Sequence, residues 1–131
     1  MILDNTLLDS LMEQAAASPR LRMNFDLRTS PEDSSQRMLN ALLPGTVLPI
    51  HRHTKTTEVL VLLRGKMEEV FYEENPLRET SRVLLEAGGD VPGLSIPVGQ
   101  WHGINVLEPT VILECKDGRY EPLGPEDMIS L

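Results

Sequence analysis

The stretch Gly45-Thr46-Val47-Leu48-Pro49-Ile50-His51-Arg52-His53-Thr54-Lys55-Thr56-Thr57-Glu58, closed by Gly65, decides how this chain is read. It holds two of the three histidines in the sequence; the third, His102, ends the run Pro97-Val98-Gly99-Gln100-Trp101-His102. Residues two apart on a strand share a face, so His51 and His53 present both imidazoles to one side. Glu58 opens the next apolar stretch, and a tight turn over 54–57 returns its carboxylate beside the histidines. The turn Pro97-Val98-Gly99 aims His102 at the same place from a distant hairpin. Three neutral imidazoles and one carboxylate suit one divalent transition metal: Zn, Fe, Mn, Ni or Co, with Cu also compatible. Four protein ligands on an octahedral ion leave two positions for water or substrate, as a catalytic site requires. A single histidine near a Pro-Gly turn is more often a hydrogen-bonded surface residue. The two patterns together outweigh that reading.

Working outward, Asp4 or Asn5 can cap a helix running to about Ala17, with Leu7, Leu8, Leu11, Met12 and Ala15 on one face. Ser18-Pro19 ends it, because the residue before proline is pushed out of the helical region. Beyond that come short apolar or alternating stretches at 21–27, 36–43, 58–63, 67–72, 81–85, 94–98, 103–107 and 110–115. Gly and Pro punctuate the gaps, as at Pro44-Gly45, Asn75-Pro76, Gly88-Gly89 and Pro92-Gly93. Many short strands with turn signals between them predict an antiparallel sandwich or barrel. The expected organisation is one domain over 1–131: a helix within 1–18, a β-barrel over 20–121 and an irregular tail over 122–131.

Bulk properties exclude some classes. The net charge of −8 argues against a nucleic-acid partner, since phosphate binding needs a positive surface. No run approaches the length of apolar chain that spans a bilayer, so no membrane partner is expected. Asp4 and Asp9 interrupt any apolar leader, and the expected location is the cytoplasm. Cys115 has no second cysteine to pair with and sits in the apolar pattern Val111-Ile112-Leu113-Glu114-Cys115, as a small buried hydrophobe would.

The first stretch resembles the first cupin motif: Gly, five residues, His-x-His, four residues, Glu, six residues, Gly, without a gap. The second resembles the Pro-x-Gly-x-x-His core of the second cupin motif. It departs where Val91 stands six residues before Pro97 in place of a glycine, and where Asn105 follows His102 by three residues instead of four. The whole chain is similar to the small WbuC-type cupin-fold metalloproteins, which are bacterial and often associated with O-antigen sugar gene clusters. Residues 19–24, 36–41, 96–102 and 114–122 carry that likeness, while Phe25-Asp26 stands where a histidine is expected nearby. The resemblance implies an all-β, single-domain cupin (a double-stranded β-helix or jelly-roll barrel) with a short N-terminal helix. It implies a metal held by His51, His53, Glu58 and His102, without fixing a reaction.

Two functions compete. One is an enzyme acting on a small polar or anionic molecule such as a sugar or sugar nucleotide, with Arg22, Asn24, Gln36 and Arg37 binding it; an arginine fork suits phosphate or carboxylate. Isomerisation or epimerisation needs a general base, for which Tyr72, Glu114 and Tyr120 are candidates; an iron-dependent dioxygenase also fits. The other is a non-enzymatic module that uses the metal to hold or sense a ligand. A purely structural metal is a third, blander reading. Lys55 and Arg52 are expected to face solvent or an anionic ligand. Single-cupin chains commonly pair, so a homodimer is expected.

Overall fold

The computed structural model describes residues 1–130, so Leu131, part of the expected tail, lies outside the described residues. Helix α1 (Asn5–Ala17) begins where Asp4 Oδ1 accepts the Leu7 N–H at 3.0 Å, and it ends at Ser18, ahead of Pro19. Leu8, Leu11 and Ala15 fall at helical spacing and are buried. A helix this short is marginal alone in water, so the surface it covers holds it.

That surface belongs to the first of two five-stranded antiparallel sheets. Its order is β1 (Arg22–Asp26), β2 (Gln36–Leu42), β9 (Thr110–Lys116), β4 (Glu58–Arg64) and β7 (Gly93–Ile96). The second sheet runs β10 (Met128–Ile129), β3 (Ile50–His51), β8 (Trp101–Val106), β5 (Lys66–Glu73) and β6 (Arg78–Glu86). The two sheets face one another as an all-β jelly roll carrying one short N-terminal helix.

Strand parity divides the first sheet. On β2, Leu39 and Ala41 point outward and are buried with Leu8, Leu11, Ala15 and Val111 beneath α1. The alternate residues Gln36, Met38, Asn40 and Leu42 point inward, opposite Lys116, Glu114, Ile112 and Thr110 of β9. Between the sheets, Leu42, Leu60, Leu62, Met67, Leu85, Ile96, Val106 and Ile112 form the main core. Each such side chain stabilises the fold by about 1.5–3 kcal/mol on full burial.

Gly65 turns β4 into β5 at φ +87°, and a Cβ there would collide with the Pro109 carbonyl and the Thr110 side chain. The tail expected to be irregular over 122–131 is partly ordered. Pro125–Asp127 forms a 3₁₀ turn, and β10 pairs with β3, placing Met128 opposite His51. A two-residue strand has too little length for periodicity to reveal it.

Candidate metal centre

His51 and His102 are cross-strand partners on β3 and β8, with ring centroids 4.2 Å apart. His53 lies just past the end of β3, its ring centroid 5.1 Å from that of His51 and 5.8 Å from that of His102. The Gly99 N–H donates to the His53 carbonyl at 2.8 Å, so the turn of the second motif holds the first. One ligand nitrogen from each histidine falls in a group whose members are all within 4.8 Å of one another.

The tautomers are set by the backbone. His51 Nδ1 lies 3.1 Å from the Pro49 carbonyl and His102 Nδ1 lies 2.9 Å from the Gln100 carbonyl. A carbonyl oxygen only accepts, so both Nδ1 atoms carry the proton and both Nε2 atoms keep a lone pair. His53 Nε2, His102 Nε2 and Glu58 Oε2 are buried without a hydrogen-bond partner. Orphaned polar atoms cost free energy, and several acceptors gathered in one place are what a cation satisfies. The residues present therefore fit a transition metal.

Glu58 reaches the site differently from the expected turn-back beside the histidines. It starts β4 in the opposite sheet and faces His102 across the gap, Oε2 to Nε2 3.2 Å, outside the three-histidine group. Behind it stands a polar cluster on β9 and β2. Lys116 Nζ lies 2.9 Å from Glu114 Oε1 and 3.8 Å from Glu58 Oε1, and Asn40 Nδ2 donates to Glu114 Oε2 at 2.6 Å.

Burial lowers all three histidines. His51 falls to about 4 with help from neighbouring His102, and His53 to about 3 with help from Lys116. They are neutral at pH 7, as ligands must be. Burial raises Glu58 well above the usual carboxylate range, and its hydrogen bond to Glu114 raises it further. Burial also works against the Glu114 anion, but hydrogen bonds from Glu58, Lys116 and Asn40 outweigh it and pull Glu114 down. The two carboxyls are thus pushed in opposite directions beside one ammonium.

These groups open onto a cavity of about 670 Å³ between the sheets. Arg22, Asn24 and Gln36 line it. Arg22 Nη1 donates to the Val47 carbonyl at 2.9 Å, and Gln36 Nε2 to the Gly118 carbonyl at 2.9 Å. Arg37 is not brought to this cavity: opposite parity on β2 turns it to the outer side, where Nη2 donates to Asp33 Oδ2 at 2.8 Å. Of the candidate bases, Glu114 and Tyr120 line the cavity, whereas Tyr72 borders a separate surface hollow with Arg52 and Trp101. Arg52 is clamped rather than free, donating to Asp127 Oδ1 at 2.9 Å and lying 4.6 Å from the Trp101 ring centroid. Lys55 is exposed and pairs with Glu121 at 2.9 Å. Sequence reasoning passed over Lys116 and Glu69. Their inward parity was readable, but nothing in the sequence says which sheet face meets the histidines.

A family profile described as "Domain of unknown function (DUF6016)" matches residues 3–84, more than half of the chain, and the chain belongs to that family. No curated protein matches it. Among solved structures, TT1209 from Thermus thermophilus is similar at 23% identity and TM-score 0.65, over 91% of this chain and 98% of that one. The capsular polysaccharide assembling protein CapF from Staphylococcus aureus is similar at 22% identity and TM-score 0.64, over 87% of this chain. This chain spans only 32% of that CapF chain, so the likeness concerns about a third of the larger protein. A cupin superfamily protein from Desulfitobacterium hafniense DCB-2 matches at 17% identity and TM-score 0.57, over 72% of this chain and 74% of that one. At these identities the likeness shows the fold alone, a cupin-like jelly roll. No helix among the described residues is long and apolar enough to cross a membrane.

Proposed function

We propose that this member of the DUF6016 family is a metal-binding small cupin of the WbuC type. In this reading one divalent transition metal sits on His51, His53 and His102, with Glu58 as the fourth ligand. The protein acts on, or binds, a small polar or anionic molecule such as a sugar or sugar nucleotide in bacterial polysaccharide (O-antigen) biosynthesis. One observation carries it: ligand nitrogens of His51, His53 and His102 gather within 4.8 Å of one another, those of His53 and His102 buried without partners, at the wall of a cavity large enough for such a ligand. The name of CapF, a capsular polysaccharide assembling protein, agrees with the substrate class.

When bound, the metal supplies Lewis-acid polarisation of a carbonyl or hydroxyl oxygen. The chain supplies the rest. The Nδ1 bonds to the Pro49 and Gln100 carbonyls fix the imidazole orientations. Arg22, Asn24 and Gln36 present polar groups to the ligand from the first sheet. Behind Glu58, Glu114 is held by Lys116 and Asn40 at the cavity wall and is the chain's nearest acid–base candidate. A carboxylate at the cavity wall behind the metal group favours an enzyme over a sensing module, and an iron-dependent dioxygenase is the alternative if iron alone is retained. The working form is a homodimer in the cytoplasm, and light scattering at monomer mass across micromolar concentrations would contradict the dimer.

The test is elemental analysis of wild type and a His51→Ala, His53→Ala variant purified side by side. Wild type should hold about one metal per chain and the variant almost none. Equal metal content in a folded variant sinks the site.

A further inference from the structure

Glu69 is a carboxyl where strand parity calls for a core residue. On β5 it lies between Met67 and Phe71 on the inward face, and its cross-strand partner on β8 is Ile104, two residues beyond His102. It is 1% exposed, its Oε2 has no hydrogen-bond partner among the described residues, and it lines the same cavity as the histidines. A buried carboxyl with nothing to bond is costly, and an apolar residue would fill this place at no such cost. It stands apart from the metal group, whose close members are the three histidines alone.

Resting on the proposed ligand cavity, we infer that Glu69 is a ligand-binding residue that hydrogen-bonds a hydroxyl on the deeply inserted end of a polyhydroxylated anion. Charge orients that ligand. On the inner wall the Lys116 ammonium is already engaged, 2.9 Å from Glu114 and 3.8 Å from Glu58. Arg119 is exposed at the same cavity and Arg22 is half-buried there, so the anionic group stays with them. Leu60, Ile104 and Ile112 supply an apolar wall on which the C–H face of a sugar ring can lie. Burial, with the nearby Glu58 and Glu114 charges, holds the Glu69 carboxyl well above its usual range. The neutral form donates as well as accepts, which matches a hydroxyl.

The probes are glucose 6-phosphate and n-hexyl phosphate, which share the anion and differ in hydroxyls. Both are titrated calorimetrically into metal-loaded wild type, Glu69→Gln and Glu69→Leu. Wild type should prefer the sugar phosphate. Glu69→Leu should weaken it about tenfold while changing hexyl phosphate less than about twofold, and Glu69→Gln should fall between. Infrared difference spectra should show the Glu69 carboxyl band shifting with sugar phosphate in wild type and absent from Glu69→Gln. Equal sugar-phosphate affinity in wild type and Glu69→Leu overturns the inference, as does wild type that does not discriminate the probes or binds neither. Metal content is measured on every sample. Wild type without metal overturns the parent reading, yet the two phosphates still judge Glu69, because a hydroxyl contact needs no metal.

Discussion

At one end of the space between the sheets, Leu62, Met67, Leu85 and Val106 bury carbon against carbon. At the other end, on the same strands β4, β5 and β8, stand Glu58, Glu69 and His102, with polar atoms that are buried and unpartnered. The apolar end gains free energy from every atom it excludes from water. The polar end gives some of it back, and a fold tolerates that where something else fills the gap. A few residues of strand length separate the two regimes: Met67 and Glu69 are neighbours on one face of β5.

The largest effect is expected at the apolar end. Leu85→Ala should destabilise the protein by about 2–5 kcal/mol in urea unfolding while leaving the metal content of the folded fraction unchanged. Loss of metal alongside stability would mean the two ends are not separable. Acid should reach the polar end next. His51 titrates near 4 when folded against 6.5 unfolded, and His53 near 3. The unfolded chain therefore binds more protons in that interval. Their contribution to metal-free stability is complete above pH 6.5 and is lost as pH falls toward 4 and below. The loss is about 3 kcal/mol for His51, read by thermal melts of metal-free protein. Flat stability from pH 7 to 4 would put the imidazoles in water.

The buried carboxyl responds to pH with the opposite sign. Glu69 is raised above 4.5 when folded, so its penalty is absent below pH 4.5 and grows as pH rises. Glu69→Leu should stabilise metal-free protein by about 1–3 kcal/mol at pH 8, with the gain shrinking toward pH 4.5. The smallest effect belongs to the other side of the first sheet. Arg37→Ala, which breaks a half-exposed pair with Asp33, should cost no more than about 1 kcal/mol and leave ligand binding intact.

Arg37 also shows where sequence reading stops. Gln36 and Arg37 look equally fit to bind an anion, and only one of two adjacent strand residues can face the cavity. The decision lies in Leu39 and Ala41, whose burial under α1 marks the odd-numbered face of β2 as outward. That is a tertiary fact, available once the helix is known to dock there. The helix start, the eight longer strands and the meeting of the three histidines were legible because each rests on local periodicity or on turn chemistry. The pairing of β10 with β3 was not, since two residues carry no period. Glu58 was found by its spacing, but its arrival from the facing sheet depends on how the sheets stack.

The pairing of Met128 with His51 also bears on the order of events during translation. A nascent chain releases its residues in sequence, and domains generally fold as their parts emerge. His51 and His53 are made early, yet one flank of their strand waits for β8 and the other for β10. Completion of the three-histidine group is thus expected to be a late, post-emergence event. A chain from which β8 has emerged and β10 has not would hold His51 on a strand paired with β8 along one edge and open along the other.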